Sequence, residues 1–507
     1  MSSTYPQSPG AGKDLLETFR ARYPFPLDPF QEEAIRYILA GDSVIVSAPT
    51  GAGKTLIAEF AIWVALATGK RLAYTTPLKA LSNQKFADFT RQYGEEFVGI
   101  LTGDVKVHPR APLVIMTTEI LRNKLYTRSL EETAYAVLDE CHYMGDEGRG
   151  TVWEEIVINC PKEIQLIALS ATVGNIEEIA EWVSEVHGPI RTVIHQKRPV
   201  PLHYYLCDPE GEIVLVDGLS RGQILSALKA WRGQSRVRMR GPHGRDQRRS
   251  LIRRRPAHPT AVVPRLRSRR WLPGIYFIFS RAGCEVALRR ILEDGVSMLE
   301  PHQQGEVEAA IETFHRENPS LISESELNQL IFEGLRHGVG VHHAGILPAL
   351  KRFTETLFEK GLIRVVFATE TMSLGIHMPA RSVILQSLTK RSDYGFRSLS
   401  HNELTQMAGR AGRRGIDPEG KCVITLDAPE AVEEALSIVR KASEPIESQF
   451  RIGYSSAALL VRNYADPVAI RHNIESSFGQ FQNRERIRVI EVDLQALQEK
   501  VEQASRI

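Results

Sequence analysis

Ser43-Val-Ile-Val-Ser47, Ala48-Pro-Thr-Gly-Ala-Gly-Lys54-Thr55 and the apolar residues 56–67 follow one another near the start of the chain. This order predicts a strand, a glycine-rich loop and a helix, the context of a phosphate-binding loop. In such a loop the backbone curls around phosphate oxygens, a lysine reaches the outer phosphates and a hydroxyl ligates magnesium. The segment therefore predicts a triphosphate site with Mg²⁺, formed by Pro49, Thr50, Gly51, Ala52, Gly53, Lys54 and Thr55.

A second segment, Tyr135-Ala-Val-Leu-Asp139-Glu140-Cys141-His142, reads as a buried strand that ends in two adjacent carboxylates. Strand ends are where α/β proteins present such groups. Asp139 is expected to hold the magnesium ion, and Glu140 to polarise the water that attacks the γ-phosphorus. The Asp-Glu pair indicates a catalytic site because an apolar strand precedes it and a phosphate loop lies upstream.

The order of four motifs resembles the DExH-box helicases of superfamily two. These motifs are Gly53-Lys-Thr55, Asp139-Glu-Cys-His142, Ser170-Ala-Thr172 and Gln406-Met-Ala-Gly-Arg410-Ala-Gly-Arg413. Further segments resemble the Ski-type (superkiller) RNA helicases and their bacterial and chloroplast relatives, among them Thr76-Pro-Leu-Lys79, Phe277-Ile-Phe-Ser-Arg281 and Gly340-Val-His-His343. The resemblance covers roughly residues 20–205 and 272–483.

The resemblance implies an ATP site in a cleft between two domains. Arg410 and Arg413 would stabilise charge on the transferring phosphate, and Gln406 would orient water or bridge to Glu140. Gln31 would hydrogen-bond the adenine and Phe25 would stack on it, with Gly375 also near the nucleotide. Ser170 and Thr172 would couple the cleft to the nucleic acid. At His377 the family usually has asparagine, so the coupling at that motif is expected to differ.

The net charge of only +2 means that nucleic-acid binding must come from local geometry. Hydroxyls, backbone N–H groups and a few cations that follow strands can hold the phosphates of one strand without reading its sequence. The residues predicted for this role are Pro77, Lys79, Gly103, Thr118, Arg122, Ser280, Arg281 and Thr369.

Alternating strand-like and helical stretches predict an α/β fold with parallel sheets covered by helices. We expect a polar tail over residues 1–14, a RecA-like ATP-binding domain over 15–205 and a linker over 206–271. A second RecA-like domain is expected over 272–430. Residues 431–507 would form a partial winged-helix region with a coiled-coil-like stripe that has no returning helix, made by Ile487, Ile490, Leu494, Leu497 and Val501. The chain then resembles a family member truncated at the C-terminus; alternatively, the stripe packs on the chain's own body or pairs in a dimer.

Residues 232–270 are rich in arginine, hold one acid, Asp246, and show no helical or strand period. Three interpretations stay open: a basic arm that captures RNA by counterion release, a solvated linker, or non-native sequence of the kind that a shifted reading frame gives in GC-rich DNA.

The composition, with 43% hydrophobic and 24% charged residues among 507, indicates a soluble protein of two or three domains. Five dispersed cysteines argue against a zinc site or a disulfide framework, and the polar N-terminus lacks a secretory signal. His342 and His343 alternate faces of a strand, which argues against a metal site. A cytoplasmic protein that is not embedded in a membrane is expected.

The sequence thus predicts an ATP-dependent RNA helicase that moves 3′ to 5′ on single-stranded or partly duplex RNA, with an RNA-degrading partner as a further expectation. Direction and RNA preference rest on the resemblance. The alternatives are a related DNA-repair helicase and an RNA-stimulated ATPase or clamp that cannot unwind. The sequence leaves the oligomeric state open.

Overall fold

A computed structural model describes residues 13–130, 132–228, 256–295, 297–319, 325–372, 378, 380–392, 395–464 and 466–505. The chain divides into two compact units. Unit 1 combines the residues up to Lys197 with those from Ser443 onward, and unit 2 is Arg198–Ala442. No helix among the described residues is long and apolar enough to cross a membrane.

Unit 1 is built on an eight-stranded sheet with the order β4-β3-β5-β2-β6-β7-β1-β8. Its strands are β1 (Ser43–Ser47), β2 (Arg71–Thr76), β3 (Val98–Leu101), β4 (Lys106–Val107), β5 (Leu113–Thr117), β6 (Thr133–Asp139), β7 (Gln165–Ser170) and β8 (Ile190–Ile194). All neighbours pair in parallel except β3 and β4. The central strands are buried along their whole length, as expected for a parallel sheet covered on both faces.

Helices connect the strands of unit 1. They are α1 (Lys13–Arg20), α2 (Pro29–Ala40), α3 (Thr55–Ala67), α4 (Lys79–Tyr93), α5 (Thr118–Tyr126), α6 (Gly150–Asn159) and α7 (Ile176–Val186). Helix α3 is apolar nearly all round and fully buried at Phe60 and Ile62, which fixes the loop before it on a rigid support.

Unit 2 contains a seven-stranded sheet with the order β10-β9-β17-β14-β11-β13-β12 and a hairpin of β15 and β16. Its strands are β9 (Leu202–Cys207), β10 (Ile213–Leu215), β11 (Gly274–Phe277), β12 (Val339–His342), β13 (Val365–Ala368), β14 (Ser382–Leu385), β15 (Thr389–Ser392), β16 (Gly395–Ser398) and β17 (Gly420–Thr425). Within the large sheet only β10 runs antiparallel to its neighbour.

The helices of unit 2 are α8 (Arg221–Ala227), α9 (Pro259–Ser268), α10 (Arg281–Glu293), α11 (Pro301–Glu317), α12 (Glu326–Arg336), α13 (Pro348–Glu359), α14 (His401–Ala408) and α15 (Ala431–Arg440). Together with the sheet they enclose one hydrophobic core, separate from that of unit 1. Two predominantly parallel sheets with covering helices confirm the predicted α/β class with tandem RecA-like folds.

The boundary between the units differs from the predicted one at residue 205. Strand β9 pairs in parallel with β17, so Leu202–Cys207 belongs to the sheet of unit 2 and the division falls at Lys197. Residues 206–271 are correspondingly not all linker, since β10, α8 and α9 lie within them. The local sequence could not show this, because the partner of β9 comes more than two hundred residues later.

The arginine-rich stretch is divided by the structure. Residues 229–255 lie outside the described part, whereas α9 carries Val262, Val263 and Leu266 into the core of unit 2. Its Pro259 stands at the first turn, where the missing N–H costs nothing. The prediction that residues 232–270 lack a helical period is therefore wrong for α9.

Residues 443–505 form a helical region with α16 (Tyr454–Asn463), α17 (Pro467–Glu475) and α18 (Phe478–Ser505). The start of α18 packs on α7, where the ring centroids of Trp182 and Phe478 are 5.3 Å apart. In the predicted stripe, Ile487 and Ile490 are more than half exposed, and the side chains of Leu494, Leu497 and Val501 lie outside the described part.

Candidate ATP and nucleic-acid site

The phosphate loop connects β1 to α3, as predicted. Gly51 and Gly53 have φ values of +84° and +91°, which side chains other than glycine rarely adopt. A Cβ on Gly51 would meet no atom within 4 Å, so the loop is open to a ligand there. The Lys54 Nζ donates hydrogen bonds to the carbonyls of Ala48 at 2.8 Å and Pro49 at 3.2 Å. The lysine ammonium therefore lies directly over the loop.

Gln31 is tied to this loop. Its Nε2 donates to the Gly53 carbonyl at 2.9 Å, and its Oε1 accepts from the Asp28 N–H at 2.9 Å. The side chain is buried, whereas Phe25 is 48% exposed. An exposed ring suits stacking on a base, and this role of Phe25 stays a prediction, while Gln31 also has a structural part in holding the loop.

The acid pair stands at the end of β6. Asp139 is buried and accepts a hydrogen bond from the Tyr74 Oη at 2.6 Å. Burial raises the pKa of Asp139, and the nearby positive charge of Lys85 opposes that rise. Glu140 follows with a φ of +60°, an uncommon conformation for a residue with a Cβ. The turn places the two carboxylates differently, one buried and one half-buried at the edge of the sheet.

The Ser170-Ala-Thr172 segment contacts the acid pair through a histidine. The Ala171 N–H donates to the His142 Nδ1 at 3.2 Å, and Glu140 Oε2 lies 3.4 Å from the same nitrogen. Burial lowers the pKa of His142. A neutral ring whose Nδ1 accepts the Ala171 bond is consistent with both observations, so the contact to Glu140 is not an ion pair. Ser170 and Thr172 thus flank Ala171, whose N–H binds a histidine of the acid-pair segment, and their coupling role stays a prediction.

The nucleic-acid candidates of unit 1 follow three neighbouring strands. Pro77 and Lys79 come after β2, Gly103 after β3 and Thr118 after β5. Strands β3, β5 and β2 lie side by side, and β6, β7 and β1 continue the same sheet. The ends of parallel strands share one edge, so this edge carries the nucleic-acid candidates at one side and the phosphate loop with the acid pair at the other.

These candidates differ in how their side chains are used. Lys79 Nζ lies 2.6 Å from Asp104 Oδ2 in an exposed pair beside Gly103. By contrast, the Arg122 Nη1 contacts Glu155 Oε2 at 3.2 Å, and Glu155 is 1% exposed. Truncating either partner of a buried pair is strongly destabilising, so Arg122 has a structural role in addition to any contact with phosphate.

In unit 2, Ser280, Arg281 and Thr369 lie at the ends of the neighbouring strands β11 and β13. The Ser280 Oγ caps α10 by accepting from the Gly283 N–H at 3.2 Å.

Gln406 lies on α14, and Arg410 and Arg413 follow it. The Ala380 N–H donates to the Arg410 carbonyl at 2.9 Å, which puts the arginines beside the start of β14. Gly375 and His377 lie outside the described residues.

The adjacent histidines of unit 2 have separate carboxylate partners. His342 Nε2 lies 2.7 Å from Glu355 Oε1, and His343 Nε2 lies 3.4 Å from Glu285 Oε1. The two rings are buried in different surroundings, as the alternation of a strand requires.

Comparison with known proteins gives two family matches. Residues 28–179 match the DEAD/DEAH box helicase family and residues 296–415 match the helicase conserved C-terminal domain. The chain is 42% identical over 477 residues to the chloroplastic DExH-box ATP-dependent RNA helicase DExH15 of Arabidopsis thaliana, covering 87% of this chain and 40% of that protein. It is 36% identical over 490 residues to Superkiller complex protein 2 of Mus musculus, covering 91% and 38%. This chain belongs to the Ski-type helicases of superfamily two.

A probable helicase of Mycobacterium tuberculosis, HelY, is 39% identical to this Ski-type chain over 482 residues, which are 92% of this chain and 52% of HelY. The chain therefore spans about half the length, or less, of these curated relatives. The predicted family is confirmed, and both helicase domains fall in the units that carry the predicted motifs.

Sequence reasoning on this Ski-type chain missed Lys85. The residue lies on α4, and its Nζ donates to the Thr55 Oγ1 at 3.3 Å. It also lies 5.8 Å from the ring centroid of Tyr74, whose hydroxyl binds Asp139. A cation is thus held between the two residues predicted to bind Mg²⁺. The lysine falls six residues after Lys79, and no local pattern marks it.

Asp417 was missed as well. Its carboxylate, which is fully buried, accepts from the Arg413 backbone N–H at 3.1 Å, the Arg413 Nε at 2.7 Å and the Arg381 Nε at 2.7 Å. Burial would raise the pKa of Asp417, but the hydrogen bonds from Arg413 and Arg381 outweigh it and lower the pKa to about 2. Asp417 therefore fixes the orientation of Arg413. An acid four residues after an arginine was the available signal.

Proposed function

We propose that this chain is an ATP-dependent RNA helicase that couples ATP hydrolysis to 3′-to-5′ movement on single-stranded RNA and to duplex unwinding. The observation that carries the proposal is the common edge of the unit 1 sheet, where β1 and β6 present the phosphate loop and the acid pair while β2, β3 and β5 present Lys79, Gly103 and Thr118. A conformational change at the nucleotide side of this rigid edge can be transmitted to its nucleic-acid side.

The residues present fit a nucleotide with Mg²⁺. The loop is open at Gly51, and the Thr55 hydroxyl and the Asp139 carboxylate are of the oxygen chemistry that Mg²⁺ prefers. A bound Mg²⁺ would neutralise charge on the phosphates. Lys54 would bind the outer phosphates, Glu140 would take up the proton of the attacking water, and Phe25 with Gln31 would contact the adenine. Gln406, Arg410 and Arg413 are proposed to act on the same reaction.

The RNA preference and the direction rest on family membership, because relatives such as DExH15 are named RNA helicases. Net charge does not supply the affinity, so a few contacts to phosphate and ribose must do so. A cytoplasmic location and an RNA-degrading partner are part of the same proposal and rest on the sequence analysis.

Steady-state ATP hydrolysis, measured with single-stranded RNA, with single-stranded DNA and with neither, tests the proposal. Glu140→Gln removes the proposed base and should lower kcat by about 10²-fold or more. Arg413→Ala should lower it by about 10³-fold. Glu147→Gln, in an exposed position of the same loop, is the matched control and should keep the wild-type rate.

Equal rates in all four proteins would refute the mechanism. Stimulation by DNA and not by RNA would favour the DNA-repair type of helicase. Strand displacement is measured with a labelled strand in a duplex with a 3′ overhang. RNA-stimulated hydrolysis without displacement would support an ATPase or clamp and would reject unwinding by this chain.

A further inference from the structure

Unit 2 contains a cavity of about 410 Å³ that the predicted ATP and nucleic-acid residues do not line. Arg267, Arg270, Arg364 and Arg381 surround it, together with Glu300 and His302. Arg364 and Arg381 directly precede β13 and β14, so the cavity opens at the edge of the sheet where these strands begin. We call it the arginine pocket.

The arginine pocket holds more positive than negative charge. Within it, only Glu300 carries a carboxylate among the described lining residues, and Asp417 is already shared between Arg381 and Arg413. The charged side chains that act on Arg364 are those of Arg413, Arg381 and Arg267. Burial and these like charges both lower the pKa of Arg364. Repulsion of this kind destabilises the fold when no anion is bound.

Two of the arginines are held in place by the fold. The Arg381 Nε contacts Asp417 at 2.7 Å and its Nη1 donates to the Arg270 carbonyl at 2.7 Å. The Arg267 Nη1 donates to the Ser297 carbonyl at 2.9 Å. Guanidinium groups that are oriented beforehand lose less conformational freedom when they bind an anion.

We propose that the arginine pocket binds a phosphate-bearing ligand. A phosphate group accepts bidentate hydrogen bonds from guanidinium, and its one or two negative charges suit a pocket in which four arginines face one carboxylate, Glu300. The inference goes beyond the proposed helicase function and does not depend on it, because the pocket lies wholly within unit 2 and shares no residue with the phosphate loop. The phosphate can come from a small molecule or from a nucleic-acid backbone.

The test uses the whole chain with Lys54→Ala, which removes the lysine from the phosphate loop. Arg364→Gln is added, and Arg289→Gln, an exposed arginine of α10, serves as the control. Thermal unfolding is followed in phosphate-free buffer, with added sodium pyrophosphate, and with a single-stranded RNA of twelve nucleotides. In the phosphate-free buffer Arg364→Gln should raise Tm by about 2 °C, because it relieves the repulsion. A side chain with only a structural role would lower it.

With ligand, Arg364→Gln should weaken binding by about tenfold, read from the ligand concentration that gives half of the Tm increase. If Arg364→Gln weakens the stabilisation by pyrophosphate, the pocket binds small phosphates. If it weakens only the stabilisation by RNA, the pocket binds a backbone phosphate. A lower Tm together with ligand stabilisation equal to that of the control would overturn the proposal.

Arg267→Gln, at an exposed position, repeats the test if Arg364→Gln does not fold, and the same loss of binding is expected. Since the background already lacks Lys54, failure of the ATP mechanism and failure of the arginine pocket are separate results.

Discussion

Replacing Asp417 with asparagine should destabilise unit 2 strongly. In the folded protein the Asp417 pKa is about 2, against an ordinary value of 3.8, and the carboxylate is fully buried. That difference corresponds to about 2.4 kcal/mol at neutral pH. Asparagine also turns an N–H₂ toward the arginine donors. We therefore expect a loss of about 3 kcal/mol, and a fall of roughly 6–12 °C in the Tm of the unit 2 transition.

The pH dependence of Asp417→Asn provides a second reading. A carboxyl whose folded pKa is lowered contributes stability above its unfolded pKa, and this contribution is lost as pH falls through the folded pKa. Between pH 7 and pH 3 the contribution of Asp417 should fall from about 2.4 to about 1.3 kcal/mol. Urea unfolding at both pH values measures it, with Asp294→Asn, an exposed acid, as the control. A difference below about 1 kcal/mol at pH 7, or one that does not change with pH, would refute the reasoning.

Three further predictions concern unit 1. Lys85→Met should lower stability by about 1–2 kcal/mol in EDTA, because it removes the positive charge beside Asp139. Mg²⁺ with ADP should restore this stability, and a thermal-unfolding deficit that they leave unchanged would contradict the placement of the Lys85 charge. Gly53→Ala should weaken binding of a fluorescent ADP analogue at least about tenfold because its φ is +91°, whereas Gly305→Ala should not. Burial raises the Glu154 pKa to about 7, so wild-type stability should fall by about 2–3 kcal/mol from pH 5 to pH 8, and Glu154→Gln should abolish this fall in urea titrations.

The phosphate loop and the acid pair could be predicted because their chemistry is local. Gly51, Gly53 and Lys54 stand within one turn, and an apolar run before Asp139 is enough to indicate a buried strand. The alternation of strands and helices predicts parallel sheets, and Lys79, Gly103 and Thr118 could be chosen because they follow strands, but the order of the strands could not be predicted in this way.

The remaining features depend on partners that are distant in sequence. Gln31 reaches Gly53, and Lys85 reaches Thr55, only after α2 and α4 have packed on the sheet. Nothing in the residues around Arg122 shows that Glu155 occupies its guanidinium. The unit boundary was misplaced for the same reason, because β9 is assigned by its pairing with β17 and not by its own sequence.

Unit 1 is assembled from two stretches of chain that unit 2 separates. Glu154, on α6, is fully buried, and its carboxyl oxygens accept hydrogen bonds from the Ser448 hydroxyl at 2.7 Å and from the Phe478 N–H at 2.7 Å. The Trp182 Nε1 likewise donates to the Ser476 carbonyl at 2.9 Å. Without residues 443–505 a carboxylate and an indole of the ATP-binding unit would lose these partners. The entropy of closing a loop grows only with the logarithm of its length, at about 0.6 kcal/mol for each doubling, so the long intervening unit costs little. The stability of the phosphate-loop unit therefore depends on a side chain and backbone groups of residues 443–505.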